Sequence, residues 1–233
     1  MKLLGRFEAT FRNGPYIHRN SNLGNRIADF LYEDLYDLHD SNKYNRRVGS
    51  RRRVLNPKGI SPGIRARRGD GSFGDLIPGT PAVEASGFAV ARGATATVEI
   101  GAEVKIIAKA MIKQIDRVNS DLCGQARHFT EKGPRAITVG IAGVNYAPRY
   151  ISFEATRSYP TDGRASPHPV QEAEEAERRL YDAAARCYDE FLVLPFVATN
   201  EAPFEFRWYN PQRVLIDYSA LLVRVLREYE RRF

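Results

Sequence analysis

Thr97-Val98-Glu99-Ile100-Gly101-Ala102-Glu103-Val104-Lys105-Ile106 is the stretch whose reading decides the fold. Side chains on a strand alternate between two faces. Val98, Ile100, Ala102, Val104 and Ile106 then line one apolar face, and Glu99, Gly101, Glu103 and Lys105 line the other. A plain surface strand has the same pattern. The neighbourhood favours a functional strand, with Asp75 upstream in Gly74-Asp75-Leu76-Ile77-Pro78-Gly79 and a long helical pattern downstream. Glu103 and Lys105 stand roughly 7 Å apart along such a strand, so a carboxylate and an ammonium reach one small volume. The carboxylate suits a hard divalent ion and the ammonium suits a water. An Asp from a neighbouring strand adds a second oxygen ligand of the kind Mg²⁺ takes, with water and substrate phosphate filling the remaining positions. Those parts suffice to hydrolyse a phosphodiester. Glu99, roughly 13 Å from Glu103 along the strand, is a second-tier ligand.

Asp75 together with Glu103-Val104-Lys105 resembles the PD-(D/E)XK, restriction-endonuclease-like nuclease superfamily over about residues 70 to 145, with Gly74 where that motif has Pro. The resemblance implies an α/β fold, a mixed central β-sheet flanked by helices. It implies a Mg²⁺- or Mn²⁺-dependent DNA endonuclease of a restriction or defence system. Asp75 and Glu103 would hold the metal, Glu99 would be a further ligand, and Lys105 would position or activate the water. In the superfamily the helix after Glu-x-Lys lies beside the metal and the DNA backbone. That makes Lys109, Lys113 and Gln114 phosphate contacts, against the alternative of a solvated helix face. Asp70, between two glycines, competes with Asp75 for the first acid; Asp75 opens the apolar Leu76-Ile77 pair and is preferred.

The charge distribution points the same way. Between Asp40 and Asp70 there is no acid, while Lys43, Arg46, Arg47, Arg51, Arg52, Arg53, Lys58, Arg65, Arg67 and Arg68 supply ten cations, more than the whole net charge of +7. Gly49, Pro57, Gly59, Pro62 and Gly63 break regular structure, which predicts a basic loop over 41–69. Self-repulsion in such a segment is relieved by a polyanion, and duplex DNA is the expected partner. A solvated basic surface is the bland alternative. Six phosphate contacts would give a log–log salt slope of about −5.

With 233 residues and 43% hydrophobic content, one domain is expected over 1–233. The core spans about 70–145, and further helices and strands follow over 170–233. No apolar run approaches the ~18 residues of a membrane span, and the first residues are too polar for a signal peptide. Cys123 and Cys187 are far apart and lack a Cys-x-x-Cys partner, so a zinc site is disfavoured and a reducing cytoplasm is the default. His18, His39, His128 and His168 are dispersed, and neither a nucleotide-binding P-loop nor a Gly-x-Ser-x-Gly elbow occurs.

Residues 3 to 11 read as a short strand. A helix follows from about 22 to 38, with Glu33 on its acidic face as either a solvated side chain or an extra metal ligand. Gly87 to Ala91 reads as a small strand turning through Arg92-Gly93 into the central strand. A helix is expected from Ile107 to about Phe129, then a buried strand over 136–144 running parallel to the central one. Asn145 to Pro169, with Tyr146, Arg149, Tyr150, Phe153, Arg157, Tyr159 and Arg164, reads as an extended surface loop. A helix to about Tyr188, two strands and a last helix over 211–229 complete the chain. A homodimer is left open. The alternatives to an enzyme are a non-catalytic nucleic-acid-binding protein retaining the fold, and a structural subunit whose basic segment meets an acidic protein.

Overall fold

A computed structural model describes residues 1–17, 22–57, 71–109, 111–154, 157–161 and 169–233. The fold is α/β. A mixed six-stranded sheet has the order β1-β2-β3-β4-β7-β8, built from Arg53–Asn56, Gly71–Asp75, Ile100–Ile107, Ile137–Asn145, Glu190–Ala198 and Phe206–Trp208. The three central strands, β3, β4 and β7, are parallel, and the outer pairs are antiparallel. The helix α4 (Met111–Lys132) makes the crossover between β3 and β4, which is how parallel neighbours are joined. Every residue of β4 is buried, as the apolar run of that strand requires in the middle of a covered sheet.

Two apolar layers cover the sheet. Leu3, Leu4, Phe7 and Phe11 of α1 (Lys2–Arg12) pack on one face with Ile27, Leu31 and Leu35 of α2 (Asn22–Asp37). Tyr44 and Val48 of α3 (Asn42–Gly49) and the buried stripe of α6 (Pro211–Arg232) complete that layer. Ile115, Leu122 and Ala126 of α4 pack on the other face with Ala173, Ala176 and Leu180 of α5 (Pro169–Asp182). Gly101 of β3 belongs to this second face, where a Cβ would stand 2.3 Å from the Phe129 ring. The missing side chain lets α4 lie directly on the strand that carries Glu103 and Lys105.

Several sequence expectations are corrected. Residues 3–11 are helical, because Leu3, Leu4, Phe7 and Phe11 recur at helical spacing and the buried Asp34 carboxylate accepts the first backbone N–H groups, Lys2 at 2.7 Å and Leu3 at 2.9 Å. The partner of β3 is β2 rather than Gly87–Ala91, which is no strand; the isolated bridges nearby are made by Val83, Arg92 and Thr95. The expected 41–69 loop contains α3, capped by the Ser41 side chain, and β1. The expected 145–169 loop contains a separate hairpin of β5 (Tyr150–Glu154) and β6 (Arg157–Thr161). Lys58, Arg65, Arg67, Arg68, Asp70, Arg164 and His168 lie outside the described residues.

Cys123 on α4 and Cys187 in the 3-10 turn Ala184–Cys187 form a disulfide, with Cα atoms 5.3 Å apart. Such bonds are rare in the cytosol. The cytoplasmic expectation rested on unpaired thiols and loses that support.

Candidate active site

The sequence-predicted acids separate into two groups at opposite ends of β3. Glu103 and Lys105 lie on its α4 face, as alternation requires, and Lys105 Nζ stands 2.7 Å from Glu103 Oε1. Glu103 is buried and Lys105 half-exposed. The β2–β3 pairing runs from Gly71 opposite Ala102 to Phe73 opposite Ile100, so both residues lie beyond it, toward the C-terminal ends of the parallel strands. Ligands in open α/β sheets bind at that end. Lys109 follows, buried at 7% exposure. Its ammonium donates to the Tyr159 hydroxyl of β6 and lies 4.3 Å from that ring's centroid. Lys113 is exposed and Gln114 half-buried in the first turn of α4.

Asp75 is not brought to Glu103. Antiparallel pairing places it five steps further along, about 16 Å away at strand rise, and on the face that Phe73 presents to the α2–α6 layer. There it pairs with Arg53 at 2.7 Å and accepts from the Thr97 hydroxyl at 2.9 Å. Gly74 stands where the motif has Pro because a Cβ at this position would lie 2.0 Å from the Thr97 carbonyl oxygen. The assignment of Asp75 as metal ligand beside Glu103 is therefore withdrawn.

Glu99 is also drawn away. It precedes β3 and sits at the N-terminal end with its carboxylate in contact with Arg47 Nη1 at 3.1 Å and Arg53 Nε at 2.7 Å. The Tyr229 hydroxyl donates to its other oxygen. Burial, and after it Glu99, pushes the Tyr229 phenol well above its ordinary range, so it remains a donor. Two guanidiniums and a phenol occupy the Glu99 carboxylate, which argues for a structural ion cluster rather than a metal ligand. Glu33 is fully buried and accepts from the backbone N–H groups of Ala89 at 2.8 Å and Val90 at 3.0 Å, so it anchors that loop rather than facing solvent.

The basic segment divides likewise. Arg47 and Arg53 are committed to Glu99 and Asp75, Lys43 bonds the Glu230 carbonyl oxygen at 2.6 Å, and Arg51 contacts Glu84. Arg46 and Arg52 are exposed and available to a polyanion. Sequence reasoning did not find the Asn145 side chain. Buried at the end of β4, it donates to Ala198 O at 2.8 Å and Ala108 O at 3.4 Å and accepts from the Ala198 and Ala147 amides. It ties the C-terminal ends of the three parallel strands, and the signal was an amide side chain closing a nearly continuous apolar run.

Among the described residues, no group of three or more His, Cys, Asp or Glu side chains is arranged to hold a metal. Mg²⁺ needs fewer, since one or two carboxylates with waters and substrate phosphates complete its shell. Glu103 fits one of those places. Among the described residues, no helix is long and apolar enough to cross a membrane. No known protein family matches the chain, and no curated protein sequence matches it.

Proposed function

We propose that the chain is a Mg²⁺-dependent DNA endonuclease on a restriction-endonuclease-like core. The observation that carries this reading is the Glu103–Lys105 contact at 2.7 Å, on the parallel strand that leads through α4 to β4. Glu103 is the proposed metal ligand. Asp70, next in sequence to Gly71, which faces Ala102, replaces Asp75 as the proposed second acid. When bound, the ion supplies charge neutralisation at the phosphate and a more acidic water.

The chain's own residues do the rest. Lys105 holds the attacking water by hydrogen bonding and favours its deprotonation, while the Glu103 carboxylate keeps the ammonium aimed. The exposed Arg46 and Arg52, with Lys113, hold backbone phosphates. Cleavage of plasmid DNA with Mg²⁺ or Mn²⁺ tests this. Glu103→Ala and Lys105→Ala should each lower the rate by about a hundredfold or more. Asp70→Ala should be as inactive, and Asp75→Ala should keep cutting. Equal nicking by wild type, Glu103→Ala and Lys105→Ala sinks the proposal.

A further inference from the structure

The segment from Val83 to Arg92 is a loop closed at its neck, where the two end residues exchange backbone hydrogen bonds of 2.7 and 2.8 Å. Within it the Phe88 amide donates to the Ala85 carbonyl oxygen at 3.1 Å, and Gly87 takes the φ of 80° that the turn needs. The buried Glu33 carboxylate accepts from the Ala89 and Val90 amides, and the Arg92 guanidinium lies 3.9 Å from the Phe88 ring centroid. This fixed loop meets the C-terminal ends of α2 and α3 around a cavity of about 390 Å³. Small-ligand pockets usually hold about 300–1,000 Å³. Tyr36, Val48 and Phe88 give the cavity apolar walls, and Gly49, Ala85 and Ala89 leave the room. Arg51 and Glu84 also line it, in contact with each other through Nη2 and Oε1. Their side chains are each 64% exposed, which puts the pair at the mouth.

Arg51 is a costly residue for its place. Its φ is 56°, in the left-handed region that favours glycine, and its amide closes the end of α3 by donating to Val48 O at 3.0 Å. Glycine would make that turn with less strain, so the backbone does not account for the guanidinium. An outlier of this kind points to use of the side chain.

We propose that this cavity binds an unpaired guanine base, with the Arg51–Glu84 pair reading its Watson–Crick edge. Along that edge guanine presents the acceptor O6 and then two donors, N1–H and the N2 amino group. A guanidinium beside a carboxylate presents the complement, an N–H donor followed by two acceptor oxygens. With five N–H groups on one side and about four lone-pair sites on the other, the existing contact persists when the base binds. In that register adenine and cytosine set donor against donor, and uracil sets a carbonyl against a carboxylate oxygen. In a duplex the same edge is taken by the partner base. The base comes either from a free guanine nucleotide or from an unstacked guanine in a single strand. The exposed Arg52, next along the chain, suits the phosphate of either. The cavity shares no residue with Glu103–Lys105, and its occupation does not depend on cleavage.

Isothermal titration calorimetry on the full chain without divalent metal tests this. The probes are GMP, AMP, oligo-dT strands with one central guanine or adenine, and a duplex containing that guanine. The guanine form should bind about 5- to 150-fold more tightly than the adenine form, as one good bidentate contact discriminates, and the duplex should not compete. Glu84→Gln, which sets a donor where guanine needs an acceptor, should abolish that preference. Arg51→Gly should weaken guanine binding by a similar factor while its urea midpoint stays at or above wild type, since φ of 56° suits glycine. A Cβ at Gly49 meets nothing within 4 Å, so Gly49→Leu should fold and block the cavity. Preference for guanine in both GMP and the strand supports the site for either source, in GMP alone for the free nucleotide, and in the strand alone for nucleic acid. No guanine preference in either form overturns the proposal, as does binding unchanged in Glu84→Gln or in Gly49→Leu.

Discussion

Glu99 shows how the same residue type takes different work at two ends of one strand. Its buried carboxylate neutralises Arg47 and Arg53, and loss of one partner leaves buried charge uncompensated. Glu99→Ala should lower unfolding free energy by about 3 kcal/mol or more, read by urea denaturation. The loss should be the same with and without Mg²⁺; a loss confined to Mg²⁺-containing buffer would restore its role as a ligand. Asp29 on α2 works in the opposite sense. Burial, opposed by Arg92 and assisted by Glu33, raises its carboxyl to about 6 from an ordinary 3.8. The native state then binds this proton more tightly than the unfolded chain. Stability from the protonated form is full below about pH 4 and is lost as pH rises to about 6. Asp29→Asn should therefore stabilise the protein at pH 7, by roughly 3 kcal/mol, with the gain vanishing near pH 4 in melts across that range. Alternation alone placed Glu103 and Lys105 on one face. The places of Asp75 and Glu99 depend on the β2–β3 register and on Tyr229, which no local pattern encodes.

At the scale of elements, long periodic segments were legible and short or charged ones were not. The stripes of α2 and α6 and the apolar run of β4 each carry enough residues for one period to dominate. α1 was misread because loose alternation over residues 3–11 competes with helical spacing, and the deciding bond comes from Asp34, thirty-one residues away from Leu3. α3 and β1 were hidden by arginines whose neutralising partners lie elsewhere. The Cys123–Cys187 bond was likewise invisible, being a meeting of α4 with a turn sixty-four residues later. Closing a loop of that length stabilises by about 4 kcal/mol in the chain-entropy account. Cys187→Ser should cost about that much under oxidising conditions, and a dithiol reductant should bring wild type down to the variant. Equal midpoints for the two oxidised proteins would show that the bond does not form.

At the scale of the whole molecule, the sheet separates two kinds of chemistry along its strands. The N-terminal end of β3 gathers Glu99, Arg47, Arg53, Asp75 and Tyr229 into mutual neutralisation. The C-terminal end gathers Glu103, Lys105 and Lys109 beneath a separate hairpin. The α/β class and the parallel crossover were readable because they rest on contiguous patterns. The division of acids between the two ends was not, because it is a property of strand pairing.

The Glu99 cluster also bears on the order of events at the ribosome. Its carboxylate emerges early, in the middle of the chain, but the phenol that donates to it belongs to the last helix. A nascent chain halted before residue 229 carries that buried acid with its set of donors incomplete. Completion of this layer therefore waits until Tyr229 has been made and released, and until then the unfinished chain is the form that a chaperone or protease would meet.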